Sequence, residues 1–202
     1  MKILVTCFDP FGEDKTNSSL LVLENLFDEC NNTKIIKQVL PTVRNKSFDV
    51  IVKILEEEKD IIAVISLGQA GGRKKINLER VAINVDDFRI EDNEHNLVKD
   101  ETIIKDGATA YFSTLPIRKI EKVLLDNDIE VEISNSAGTF VCNHVFYKLM
   151  NICDKKYKDI KAGFIHIPYL YEQNPKESMT LLKATKAIEL AIEILIKERI
   201  SS

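Results

Sequence analysis

Asp60-Ile61-Ile62-Ala63-Val64-Ile65-Ser66-Leu67 is the most continuous apolar run in the chain. Its apolar residues do not alternate with polar ones, which predicts a strand covered on both faces, the central position of a largely parallel sheet. Its neighbours repeat one theme. Upstream, Lys2 to Thr6 is a short apolar strand closed by Asp9-Pro10 and Gly12. Asn17 then caps a helix with Leu20, Leu21, Leu23, Leu26 and Phe27 on one face, reaching to about Asn31. Lys34 to Leu40 reads as a strand ended by Pro41, and Ser47 as the cap of a helix with Val50, Ile51, Ile54 and Leu55 inward. Downstream, Glu79 to Asn84 alternates, with Glu79, Val81 and Ile83 on one side and Arg80, Ala82 and Asn84 on the other. Pro116 opens a helix, Ile129 to Ile133 is a strand, and a helix with a wide apolar face runs from Thr139 to about Cys153. Ala162 to Ile167 is a last strand before Pro168, and residues 178 to 198 form a long terminal helix. Strands alternating with helices predict one α/β domain with helices on both sides of the sheet. Residues 85 to 110 are polar and weakly patterned, long for a structureless loop, so they either serve a function or hold short strands.

Composition narrows the function. The 202 residues are 45% apolar and 30% charged, an ordinary globular mixture large enough to bury a core without staples. Net charge is −4 with no long basic run, which argues against nucleic acid or an anionic membrane as partner. The apolar stretches are strand-sized, and Asp9-Pro10 interrupts the first too early for a signal peptide, so a cytoplasmic protein is expected. The cysteines at 7, 30, 142 and 153 have no metal-ligand spacing and read as free thiols.

Three residue types could carry chemistry. Cys142 lies where the small-residue loop Ser136-Ala137-Gly138 runs into a helix, whose unpaired N–H groups and partial positive charge favour thiolate and can bind an oxyanion. Position alone equally suits a buried helical cysteine. His166 sits at a strand end, where open α/β sheets bind ligands, and an imidazole there can shuttle a thiol proton; a hydrogen-bonded core histidine is the plainer reading. His144 is two residues past Cys142, about 200° around the helix, and should point away from it. Glu79 on an inward strand face needs a partner, either an imidazole to orient or an arginine. Gly68-Gln69-Ala70-Gly71-Gly72-Arg73 matches neither nucleotide-binding glycine pattern, and predicts a backbone-lined pocket with Gln69 as a hydrogen-bonding side chain.

Five segments then follow one another along the chain: Thr6-Cys7-Phe8-Asp9-Pro10-Phe11-Gly12, Gly68 to Arg73, Glu79-Arg80-Val81-Ala82-Ile83-Asn84, Ser136 to Asn143, and Phe164-Ile165-His166-Ile167-Pro168-Tyr169. In this order they resemble the type I pyroglutamyl peptidases, cytosolic cysteine exopeptidases, over nearly the whole chain. The resemblance implies a single three-layer α/β/α domain over residues 1–202, with a central twisted, mostly parallel sheet. It also implies removal of N-terminal pyroglutamate (5-oxoproline) from peptides, with Cys142 as nucleophile, His166 as base and acid, and Glu79 orienting His166. Arg89 falls near the oxyanion site, Phe8, Phe11 and Phe140 around the lactam ring, and Asn17 and Gln69 nearby. No metal or organic cofactor is expected, and a homotetramer is. The reaction suits the pocket, since an uncharged lactam calls for an apolar site with few fixed polar groups.

Four residues depart from the family pattern. Cys7 and Glu13 stand where glycines are usual, Ser18 where proline follows Asn17, and Tyr171 where a proline is usual. Cys7 and Glu13 are expected to border the pocket, and a second thiol there allows oxidative cross-talk with Cys142 only if the two come within disulfide range. The alternatives are a catalytically silent relative that binds modified peptide N-termini, and a different enzyme on a similar scaffold, such as a nucleoside phosphorylase.

Overall fold

The run from Ile61 forms β4 (Ile61–Gln69), every residue of which is buried. A strand without a polar face must be covered on both sides, and a computed structural model, describing residues 1–177 and 179–200, shows how. β4 lies between β1 (Lys2–Phe8) and β9 (Lys161–Ile167), parallel to both. β3 (Thr33–Leu40) joins β1 in parallel and carries the short antiparallel β2 (Glu29–Cys30) at its outer edge. On the other side β5 (Ile76–Glu79) runs antiparallel to β9 and parallel to the edge strand β8 (Val131–Ser134). The sheet order is therefore β2-β3-β1-β4-β9-β5-β8.

Helices cover both faces. α1 (Ser18–Asn25), α3 (Ile117–Asp126) and α5 (Leu181–Ile200) pack their apolar sides into one core with Val5, Ile65 and Ile165. α2 (Arg44–Glu57) and α4 (Val141–Lys155) bury Ile51, Leu55, Val145 and Leu149 with Leu4, Val64 and Phe164 in the other. The expected three-layer α/β/α arrangement is present. Among the described residues, no helix is long and apolar enough to cross a membrane.

Several local expectations are corrected. The alternation from Glu79 to Asn84 is not one strand. The chain leaves the main sheet at Arg80, and β6 (Val81–Ile83) pairs instead with β7 (Ala110–Phe112) in a separate two-stranded ribbon. The period of two was read across that break, so Glu79 is buried while Val81 and Ile83 are only half-buried. The 85–110 segment holds one isolated antiparallel bridge, between Asp86 and Glu101, and leads into β7 at its last residue. Ser47 is not a cap. α2 starts at Arg44, whose N–H is satisfied from across the fold by Asp92 Oδ2 at 2.9 Å, while Ser47 Oγ donates back to the Arg44 carbonyl. Asn17 does cap α1, accepting from Ser19 N at 3.0 Å, but the helix ends at Asn25 because the chain turns into β2. α5 begins at Leu181, its N–H held by the Glu172 carboxylate, and extends to Ile200. The residue first assigned to its start, Ser178, lies outside the described residues.

Candidate active site

The parallel strands β1, β4 and β9 end together, and in an open α/β sheet the space beyond such ends is where a crevice forms. A cleft of about 680 Å3 lies there, lined by Phe11, Gln69, Arg89, Phe140, Cys142 and His166 among others. A second cavity of about 400 Å3 at the opposite end of β4, beside Ile62 and Lys161, contains no thiol or imidazole.

His166 is the penultimate residue of β9, and its Nδ1 lies 2.8 Å from Glu79 Oε1. A carboxylate only accepts, so Nδ1 carries the proton and Nε2 is left as the basic nitrogen. β5 is antiparallel to β9, with Asn77 the register partner of His166 and Glu79 that of Phe164, so Glu79 and His166 share a face and meet diagonally across the two strands. Glu79 is fully buried, and both readings of it hold at once. Oε1 also accepts from Arg73 Nη1 at 2.7 Å, while Oε2 has no hydrogen-bond partner among the described residues. Arg73 is tied down further by Asn77 Oδ1 at 2.6 Å and by the Ser136 carbonyl at 2.9 Å. Sequence reasoning assigned Arg73 no role; its only signal was its place in the glycine-rich motif.

Cys142 is the second residue of α4, after Phe140 as N-cap. Its sulfur is placed by the sheet beneath it. Gly68 pairs in register with His166, and a Cβ on Gly68 would come within 3.0 Å of Cys142 Sγ and 2.8 Å of the Phe164 ring. The missing side chain is what lets the helix start settle against the strand. The expectation that the helix N-terminus would favour thiolate is overturned. Burial pushes the Cys142 thiol up to about 12, the Glu79 carboxylate adds to this, and Arg73 with the backbone N–H opposes it without prevailing. The resting group is a neutral thiol.

Arg89 is exposed at the cleft with no side-chain partner among the described residues. Its segment is pinned to the start of α4. Asp87 N donates to the Thr139 carbonyl at 3.0 Å, and Thr139 Oγ1 donates to the Asp87 carbonyl at 2.7 Å. Asn143 exchanges bonds with the backbone of Ile83 and Val85, which fixes the same stretch one turn on. His144 points away from Cys142 as its spacing required. It is buried against Asp86 Oδ2 at 2.8 Å, and burial pushes the imidazole down, towards its neutral form. That makes it the structural histidine of the pair.

The aromatic wall is Phe11 against Phe140, ring centres 5.8 Å apart, with buried Phe88 edge-on behind Phe140 at 4.7 Å. Two expected pocket residues do not line the cleft. Phe8 is buried one layer back, against Phe164, whose ring in turn backs the His166 imidazole at 4.8 Å. Asn17 is buried at the start of α1, occupied by Ser19 and the Asp9 carbonyl. Gln69 does line the cleft, but its side chain is largely taken up by the protein.

The departures from the family pattern also find their places. Cys7 is fully buried on the α1 side of the sheet, its thiol pushed up to about 12 by burial and by Glu24 and Asp9. Cys142 packs on the α4 side, so the two thiols are not neighbours. All four cysteines are free. Glu13 is exposed and, like Cys7, does not line the cleft. Tyr171 is half exposed and also outside it. Ser18 gives its backbone N–H to Gln69 Oε1 at 2.8 Å, a donor that a proline there would lack.

A thiol at a helix start, an imidazole with a fixed tautomer and a buried carboxylate behind it form the layout of a cysteine-type hydrolase. Known proteins narrow this class. The sequence model of the pyroglutamyl peptidase family matches residues 1–198. A pyrrolidone-carboxylate peptidase from Thermosipho melanesiensis is 48% identical, covering 98% of this chain and 100% of that protein. One from Fusobacterium nucleatum is 51% identical over 96% and 92%. Among solved structures, a mutant pyrrolidone carboxyl peptidase from Pyrococcus furiosus superposes with a TM-score of 0.93 at 39% identity, over 98% of this chain and 99% of that one. Pyroglutamyl peptidase I from Bacillus amyloliquefaciens gives 0.89 at 40% identity, over 94% of each. The chain belongs to the pyroglutamyl peptidase family.

Proposed function

We propose that residues 1–202 act as one catalytic domain that removes N-terminal pyroglutamate from peptides, with Cys142, His166 and Glu79 as the working triad. The observation that carries this is the 2.8 Å contact of His166 Nδ1 with Glu79, made behind a cleft that His166 shares with Cys142. The Cys142 thiol is neutral at rest, so its proton passes to His166 Nε2 as the sulfur attacks the pyroglutamyl carbonyl. The oxyanion is met by Arg89 and by the open N–H groups of the first turn of α4. Collapse forms a thioester, and His166 returns the proton to the departing peptide amine. Water, deprotonated by His166, then attacks the thioester and releases 5-oxoproline and the free thiol. Phe11 and Phe140 offer the lactam ring an apolar wall, with buried Phe88 behind it and Gln69 beside it. Phe8 and Asn17 support the site from the layer behind. We place the enzyme in the cytoplasm as a homotetramer, on the family resemblance and on the four free thiols.

A fluorogenic pyroglutamyl amide and its prolyl analogue, each with and without a thiol-alkylating reagent, test the reading. Cleavage of the pyroglutamyl amide alone, lost on alkylation, is expected; no cleavage by folded, reduced protein would move the assignment to a silent peptide-binding relative. The glycine beneath the sulfur gives a second test. Gly68→Ala is expected to displace Cys142 and the Phe164 ring, costing about 1–3 kcal/mol of stability and at least about tenfold in kcat/KM. Thermal melts with steady-state kinetics check it, and wild-type values in both would mean that the sulfur is not held against the strand.

A further inference from the structure

A single carboxylate oxygen ties three separate parts of the cleft together. Asp14 is half-buried in the loop between β1 and α1 and lines the cleft. Its Oδ2 accepts from Gln69 Nε2 at 2.7 Å and from the Tyr169 hydroxyl at 2.9 Å. Gln69 is the last residue of β4, and Tyr169 lies two residues beyond β9. The other end of the Gln69 amide is held as well, because Oε1 accepts from Ser18 N and from Gln173 Nε2, each at 2.8 Å. Tyr169 in turn closes on the glycine-rich segment, since a Cβ at Gly71 would stand 2.9 Å from its ring. The backbone N–H of Gly71, at this wall, has no partner among the described residues. An amide and a phenol that would otherwise sample several rotamers are thus immobilised at one acceptor.

We infer that Asp14 is a positioning residue that sets the Gln69–Gly71 wall of the cleft by acting as the common acceptor for Gln69 and Tyr169. The inference rests on the reading of this cleft as the pyroglutamyl site. Asp14 acts on how well the acyl group is seated and takes no part in proton transfer, so its loss falls on KM and not on kcat. Its negative charge is not what matters. An asparagine oxygen in the place of Oδ2 accepts the same two donors. Burial, with the Asp14 bond and charge next, holds the Tyr169 phenol above its ordinary range, so it stays a donor well into alkaline solution.

Asp14→Ala is expected to raise KM for a pyroglutamyl amide about tenfold with kcat changed less than about threefold, and Asp14→Asn to bring KM back within about threefold of the parent. Equal losses in both variants, or no change of KM in Asp14→Ala, would overturn the inference. A second measurement needs no turnover: protection of Cys142 from iodoacetamide by 2-pyrrolidinone, read by peptide mass spectrometry. Asp14→Ala should need about tenfold more 2-pyrrolidinone for the same protection, with the unprotected alkylation rate unchanged. If wild type is protected and Asp14→Ala equally so, the positioning role falls alone. If wild type is not protected at all, the lactam reading falls and the inference with it.

Discussion

Cys142→Ala is expected to lower kcat/KM for pyroglutamyl amides by at least about 10^4-fold, because no other group can form the acyl-enzyme. The remaining thiols are not substitutes. Cys7 and Cys153 are buried in the two cores, and Cys30 lies on the outer edge strand β2. Stability should change little, within about 1 kcal/mol, since the side chain is half-buried and only one sulfur atom is lost. Steady-state kinetics beside a thermal melt separate the two effects. Turnover near the wild-type rate would remove Cys142 as the nucleophile.

Glu79→Gln should cost about 10^3-fold in kcat/KM, although the substitution is nearly isosteric. A carboxylate can only accept, and so it forces the proton onto His166 Nδ1. A glutamine can turn its N–H towards Nδ1, which moves the imidazole proton to Nε2 and leaves nothing to take the thiol proton. The imidazolium formed during attack also loses its charge partner, which adds to the barrier. Glu79 helps to hold Cys142 up, so its neutralisation should bring the thiol down and speed alkylation in the absence of substrate. Slower turnover with faster alkylation is a pairing that a merely structural role would not produce. Unchanged turnover and an unchanged alkylation rate would leave Glu79 as the ion-pair partner of Arg73 alone.

Asn17 at the start of α1, the uninterrupted burial of β4, and the approach of Cys142 to a helix start were all legible from local pattern, because each depends on residues a few positions apart. The ordered motifs singled out Cys142, His166 and Glu79 for the same reason, as each motif is continuous in the chain, and the fold brings the three to one cleft. The misreadings share a cause. The Glu79–Asn84 alternation hid a change of sheet at Arg80, and Ser47 looked like a cap because the true partner of the Arg44 N–H, Asp92, is 48 residues away.

Local periodicity and short motifs determined the fold class, the core faces and the residues with chemical potential, since side-chain spacing decides which face an element buries. Tertiary structure alone decided which of those residues meet. It set β5 beside β9 so that Glu79 met His166 diagonally across the strands, and set Arg73 on the same oxygen. It kept Phe8 and Asn17 in the layer behind the cleft while bringing Asp14 and Tyr169 to it. It also made the Cys142 thiol neutral, because burial beside a carboxylate outweighed the pull of a helix start. Desolvation and the pairing of distant groups depend on what surrounds a residue in space, and no local stretch of sequence contains those surroundings.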